Sequence, residues 1–196
     1  MTDTTTRRST GTRRRAQQVA LALFTEQGYE STSLRQIADE LGINKASLYH
    51  HFASKEAILR SLFEDRGNEA ADLLTWLREQ PRGPRLLEQT VLRWVDTFTT
   101  EKLAGLRFTT ANPLVVRGLA DASGDRVGAP LQELADELVA LLPDGGEEQV
   151  VLVRMAILSI NAAVQAAAQA DVSDAAVVAA AHRAARALVG EIGGAR

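Results

Sequence analysis

Apolar residues recur at helical spacing along most of this 196-residue chain, and polar or Gly/Pro-rich breaks divide them into successive helices. A first helix is expected over about 12–27, with Val19, Leu23 and Phe24 on its buried side and Gly28 ending it. Ser33 opens a second helix that runs to Leu41, and Gln36 three residues on completes a capping box. Gly42 supplies the left-handed conformation of a tight turn, and Asn44 caps a short helix over about 45–51. Ser54 caps a fourth helix reaching Glu79, with Ile58, Leu59, Leu62 and Phe63 on its apolar stripe and Glu56 near its positive end.

Pro81, Gly83 and Pro84 then break the chain. A fifth helix over about 84–99 carries Leu87, Val91, Trp94, Val95 and Phe98. The stretch 101–128 is less regular. It predicts a short helix near 102–109, an interruption at Asn112-Pro113, a further turn or two to Ala120 and a Gly-rich loop. An amphipathic helix follows over 129–142 with Pro130 in its first turn, ended by Pro143 to Gly146. Two Ala-rich helices, about 147–170 and 174–190, close the chain. No strand pattern, low-complexity tract or internal repeat is present, so the expected fold is all-α.

Within SLRQIADELGINKASLYHHFASK (33–55), Ala38 is small enough for a close helix crossing, and Ile43 and Leu48 are placed to bury beneath the second helix. That is the arrangement of a helix-turn-helix, which holds its second helix out where it can enter a DNA major groove. Helix, glycine and helix also occur in sequence in many all-α proteins, so the outer face has to decide. Lys45, Ala46, Ser47, Tyr49, His50, His51 and Lys55 are short or hydrogen-bonding, with no long apolar residue to bury. A groove-reading helix needs such groups near its N-terminus. Lys45 can donate to guanine O6 and N7, Ser47 can donate or accept, and Ala46 permits close approach or touches a thymine methyl. Tyr49 has a competing reading as a core residue packed on Ile37. The adjacent His50 and His51 diverge by roughly 100° on a helix and make no metal pair.

The run from Thr32 to Leu59, with its LYHHF and SKEAIL segments, resembles the N-terminal domain of TetR (tetracycline repressor-like) transcriptional regulators. The likeness covers about residues 12–65. It implies a three-helix DNA-binding domain, here 12–60, followed by a larger α-helical regulatory and dimerisation domain, 61–196. It also implies that Tyr49, His51, Lys55 and the Ser33–Arg35 helix start contact backbone phosphates. The implied function is a DNA-binding repressor released from a palindromic operator by a small, largely apolar effector. The expected means of release is a shift of the fourth helix, from Ser54 toward the effector cavity, that changes the spacing of the two recognition helices.

Charge agrees with that orientation. The net charge of −3 divides into +3 over residues 1–60 and −6 over the remainder, a basic head on an acidic body. Residues 1–11 read as a disordered basic arm. Arg13, Arg14 and Arg15, with Arg7 and Arg8, are candidates for nonspecific phosphate contact, or else solubilise a tail. The chain has no cysteine, which excludes disulfides and thiolate chemistry. Without a signal segment or a membrane-length apolar run, a cytoplasmic protein with no membrane partner is expected.

The final helices supply candidates for a homodimer interface. These are Ala156, Ser159, Ala163, Ala166, Ala167 and Ala170 on the first, and Ala180, Ala181, Ala184, Ala185 and Leu188 on the second. Small side chains permit close packing between subunits, although they equally permit packing within one. Trp76, Trp94, Phe98, Phe108 and Met155 are candidates to line an apolar effector cavity, with Asn112, Asn161 and Gln165 as orienting groups. Neither a cofactor nor a metal is expected. A helical enzyme finds no support in three histidines and no phosphate-binding glycine loop. An interaction module that keeps this fold without specific DNA recognition remains the alternative.

Overall fold

The computed structural model describes residues 3–123, 128–142 and 146–194, with side chains over 11–119, 128–142 and 146–192. Pro143, most of the Gly-rich loop and the side chains of Arg7, Arg8 and Ala120 lie outside the described residues. The described chain is all α-helical, in the order α1 (Asp3–Gln27), α2 (Leu34–Leu41), α3 (Lys45–Tyr49), α4 (Lys55–Glu79), α5 (Leu86–Asp96), α6 (Thr100–Ala111), α7 (Pro113–Ser123), α8 (Ala129–Val139), α9 (Glu147–Ile157), α10 (Ser159–Ala166) and α11 (Asp174–Gly194). The chain divides into two compact units, one taking in the residues up to Asp65 with Asn112–Ser123, the other Arg66–Ala111 and the residues from 124 onward. A boundary at 60/61 would fall inside α4.

In the first unit, α1 begins at Asp3, so the stretch expected to be a disordered arm is helical from that residue on. Once 12–27 are packed, adding a turn at the N-terminus needs no new nucleus, and Arg is a good helix former. Ala16, Ala20, Leu21, Leu23 and Phe24 are buried along α1, whereas Val19 is only half-buried. They pack in a unit whose other buried residues include Ile37, Ala38, Leu41, Leu48, Phe52, Ile58 and Leu59. Gln17 is the polar exception, 5 % exposed, and its amide donates to Ser61 Oγ at 2.9 Å and Asp65 Oδ2 at 2.8 Å. Both protons of that buried amide are therefore satisfied, as burial requires.

In the second unit α11 packs against α5, α9 and α10. Val177, Ala181, Ala185 and Val189 repeat every fourth residue and are all buried, giving α11 a narrow inner stripe. Its two alanines are fully buried there, small enough for neighbouring helices to approach closely. The expected helix over 147–170 is two helices, α9 and α10, bent by 59°. Leu158 sits at the break with φ −83° and ψ 3°. No Pro or Gly marks this bend, and Ile157 and Ile160 on either side of it are both buried. Among the described residues no single helix is long and apolar enough to cross a membrane, and the bent α9–α10 pair alone meets that length and composition together.

Candidate nucleic-acid interface

The α2–turn–α3 segment is built by three local devices. The Ser33 backbone N–H donates to Gln36 Oε1 at 2.8 Å and the Gln36 N–H to Ser33 Oγ at 3.3 Å, closing the expected capping box. Gly42 takes φ 67° and ψ 29°; its N–H bonds the Asp39 carbonyl at 3.1 Å, and that of Ile43 the Ala38 carbonyl at 3.1 Å. These paired bonds make a Schellman motif, for which a left-handed residue at this point is required. Asn44 Oδ1 then accepts from the Ser47 N–H at 2.7 Å and starts α3. Leu48 anchors α3 to the core and is fully buried, while Ile43 is half-buried.

The opposite face of α3 is open to solvent. Lys45, Ala46 and Tyr49 are exposed and Ser47 half-buried, with His50 exposed and His51 half-buried just beyond the helix end. Tyr49 is 46 % exposed, which removes the reading of a core tyrosine on Ile37. Lys45 Nζ lies 5.3 Å from the Tyr49 ring centroid, a cation–π contact that places the ammonium over the ring. A cleft of about 390 Å³ opens beside α3, with Ser33 and Arg35 from α2, Lys45 and Tyr49 from α3, and Ser54 and Glu56 at the start of α4 among its lining. It joins hydroxyls and cations from three helix starts, the chemistry that grips a phosphate. Arg35 is exposed and pairs with Asp39 at 3.7 Å on its own helix.

Lys55 does not present itself as expected. Its side chain is 16 % exposed, and Nζ donates to the Tyr29 carbonyl at 2.7 Å and the Glu30 carbonyl at 3.2 Å. The same ammonium is 3.5 Å from the Glu30 carboxylate and 4.4 Å from the Tyr29 ring centroid. An ammonium has three donors, and three oxygens already surround this one, so Lys55 ties the α1–α2 connection to the start of α4. Sequence reading missed Tyr29, Glu30 and Glu56 in this cluster, since the partners lie 25–27 residues apart along the chain. Tyr29 Oη donates to Glu56 Oε1 at 3.2 Å. Burial, then the neighbouring Glu56 charge, pushes the Tyr29 phenol well above its ordinary value. The Glu56 carboxyl lies below its usual range. Burial acts to raise it, but hydrogen bonds from the Ser54 hydroxyl, its own backbone N–H and Tyr29, with the Lys55 charge, outweigh that.

Of the arginine candidates, Arg13 is held on the protein, its guanidinium 4.8 Å from the Phe52 ring centroid and 3.9 Å from Glu64. Arg14 and Arg15 are exposed.

The expected effector cavity is not assembled as drawn from the sequence. Met155, Asn161 and Gln165 are exposed, on α9 and α10. Trp94 and Phe108 are buried, and Trp76 and Phe98 half-buried. Arginines cover three of these rings: Arg66 lies 4.3 Å from Trp94 and 4.0 Å from Phe98, and Arg93 lies 4.6 Å from Trp76. Cation–π stacking thus occupies ring faces that a cavity would have used. Asn112 stands at the α6–α7 junction, its carbonyl accepting from the Val116 N–H at 3.2 Å.

The interface candidates divide similarly. Ala156, Ser159, Ala181 and Ala185 are buried inside the second unit and cannot touch another subunit. Ala163, Ala167 and Leu188 are half-buried, while Ala166, Ala170, Ala180 and Ala184 are exposed. Val151, Met155 and Leu158 join the exposed set as large apolar residues, about half-exposed.

Residues 18–62 match the family described as bacterial regulatory proteins, tetR family. The chain is 51 % identical over 45 residues to the HTH-type transcriptional repressor KstR2 of Mycobacterium tuberculosis, a match covering 23 % of this chain and 22 % of that protein. The chain thus spans about a fifth of the length of this curated relative. Among solved structures, a TetR-family transcriptional regulator from Mesorhizobium loti superposes with a TM-score of 0.61 at 20 % identity, covering 94 % of this chain and 98 % of that one. AmtR of Mycobacterium smegmatis superposes with a TM-score of 0.57 at 25 % identity, covering 90 % and 88 %.

Proposed function

We propose, from the match of residues 18–62 to the tetR family of bacterial regulatory proteins, that the protein is a homodimeric transcriptional repressor. It binds a palindromic DNA operator and leaves it when a small ligand binds. The observation that carries the reading is the exposed face of α3. Two side-chain caps and one left-handed glycine hold a five-residue helix with its only buried residue, Leu48, turned inward. The remaining side chains are short, cationic or hydrogen-bonding, which serves base edges and phosphates and serves no core.

Within that face Lys45 and Ser47 read bases, Ala46 allows the approach, and Tyr49, Arg35 and Ser33 bind phosphate. His50, His51, Arg14 and Arg15 extend the basic rim. Lys55 acts indirectly, by fixing the α4 start against α1. Two copies are needed because one five-residue helix spans only about 7.5 Å, enough for a single half-site. The second copy docks on the outer side of α9–α11, where Val151, Met155, Leu158, Ala166, Ala180 and Ala184 are open.

Selection of bound sequences from a random DNA pool tests the reading. A palindrome whose half-site centres lie about one helical turn, 34–36 Å, or a multiple of it apart is the expected result. Recovery of unrelated sequences with the same affinity would instead favour a helical interaction module that uses its charges nonspecifically.

A further inference from the structure

We propose that a cleft between the α5–α6 connection and the first half of α11 binds a small apolar molecule bearing a protonated amine, with Phe98 as part of its wall. The cleft measures about 600 Å³, within the range of small-molecule sites. Its apolar surface comes from Phe98, Leu103 and Val178. Asp174, Val178 and His182 follow one another at four-residue intervals and so share one face of α11, the outer two roughly 12 Å apart at 1.5 Å per residue. Acidic groups flank this strip. Asp96 lies 2.6 Å from His182 Nε2, and Asp174 lies 2.5 Å from Arg107.

Charge selects the ligand class. The residues that line the cleft include two carboxylates, Asp96 and Asp174, and neither lysine nor arginine; Arg107 reaches Asp174 from outside that lining. An ionised carboxylate has about four acceptor sites, more than the one donor Asp96 receives from His182 and the two Asp174 receives from Arg107 and Thr100. A ligand ammonium gains a charge-assisted hydrogen bond there, whereas a ligand carboxylate meets like charge.

Phe98 also lies against the group beneath the cleft. The Arg66 guanidinium is 4.0 Å from the Phe98 ring and 4.3 Å from that of Trp94, and the two rings meet edge-on at 5.7 Å. Arg66 Nη1 bonds Glu69 and Thr97, while Nη2 is buried without a partner. Burial lowers the Arg66 pKa and Glu69 offsets part of that. A ligand that moves Phe98 therefore uncovers one face of a cation held by Glu69, Thr97 and two aromatic rings, on the helix α4 that begins at Lys55. This regulatory consequence rests on the ligand-responsive reading above; the site itself does not.

Trp94 provides the readout, because Trp76→Phe leaves it as the only tryptophan of the chain. In that variant, 3-phenylpropylamine, 3-phenylpropanoate and 3-phenylpropanol are titrated with tryptophan emission recorded. The amine should give a saturable change with a Kd at least roughly tenfold below that of the carboxylate. Asp96→Asn should remove most of that preference, and Ala179→Phe, which fills the cleft from α11, should abolish the response to all three. Equal affinity for amine and carboxylate, or amine binding unchanged in Asp96→Asn, overturns the proposal even if Ala179→Phe does not fold. Operator affinity measured beside the same titration keeps the two readings apart. Saturation with unaltered operator affinity removes the regulatory role and leaves the site, whereas operator binding without any saturable response removes the site and leaves the repressor.

Discussion

The Lys55 ammonium donates to the Tyr29 carbonyl at 2.7 Å, across 26 residues of sequence, and so pins the end of α1 to the beginning of α4. This makes Lys55 a positioning residue for α3, which is threaded between those two anchors. Lys55→Ala is expected to cost about 1.5–3 kcal/mol of unfolding free energy, the range for hydrogen bonds to a charged group. Affinity for specific and unrelated DNA should fall together as the α3 platform loosens. Urea unfolding and salt-dependent DNA titrations check both parts. Unchanged stability with a salt slope reduced by about 1 per subunit would return Lys55 to direct phosphate contact.

Lys45 behaves differently because it is exposed and its ammonium rests over the Tyr49 ring. Lys45→Ala should cost on the order of 1–3 kcal/mol on the preferred operator and relax preference at one base pair per half-site. Tyr49→Phe should weaken binding without altering preference, since the ring remains beneath Lys45 and only a phosphate-directed hydroxyl is lost. Competition among single-base operator variants separates the two. A changed base preference in Tyr49→Phe, with none in Lys45→Ala, would mean that α3 docks in another orientation.

Gly42 is a test of backbone conformation alone. A Cβ added there meets nothing within 4 Å, but φ is 67°. Gly42→Ala should therefore destabilise by about 1–2 kcal/mol through the left-handed backbone cost. Gly42→Asn should cost less, because asparagine tolerates this region. Equal losses in the two variants, measured by thermal unfolding, would point to a steric contact and contradict the open space around the glycine.

These local devices were legible in the sequence because each needs residues only three to five apart: Ser33 with Gln36, Gly42 with Asp39 and Ile43 with Ala38, Asn44 with Ser47. The helices were legible from spacing for the same reason. What could not be read was set by partners distant in sequence. Lys55 looks like an exposed helix-start cation until Tyr29 and Glu30 arrive beside it. Trp76, Trp94 and Phe98 look like cavity walls until Arg66 and Arg93 cover them. The Ala-rich pattern of α11 marks close packing but does not say against what. Ala181 and Ala185 face the protein's own core, and Ala180 and Ala184, one residue away, face outward.

The Tyr29–Glu56 pair predicts a response to pH at both extremes. Glu56 has a folded pKa below its unfolded value, so its contribution is present above about pH 4.3. It is lost as pH falls through the lower folded value. Tyr29 has a raised folded pKa, so its contribution is full below about pH 10 and declines as the unfolded phenol ionises above that. Glu56→Gln should flatten the acid limb of the stability–pH curve, and Tyr29→Phe the alkaline limb. An acid limb as steep in Glu56→Gln as in the parent would assign the pH dependence to other carboxylates.

The division of α9–α11 into inward and outward small or apolar residues gives the last contrast. Met155 is 50 % exposed and Ala185 is fully buried. Met155→Glu places its carboxylate on the outer surface of α9, where a lone protomer can hydrate it. Ala185→Glu forces one into the core beside Ala181 and Val189, with no partner and too little volume. The first should leave the melting temperature of the monomer near that of the parent, shift sedimentation from dimer to monomer, and weaken operator binding because one subunit reaches only one half-site. The second should lower stability by several kcal/mol, in the range for an uncompensated buried charge. Sedimentation at several concentrations, paired with thermal unfolding, distinguishes them. If Met155→Glu stays dimeric and binds the operator as the parent does, subunits meet on a different face.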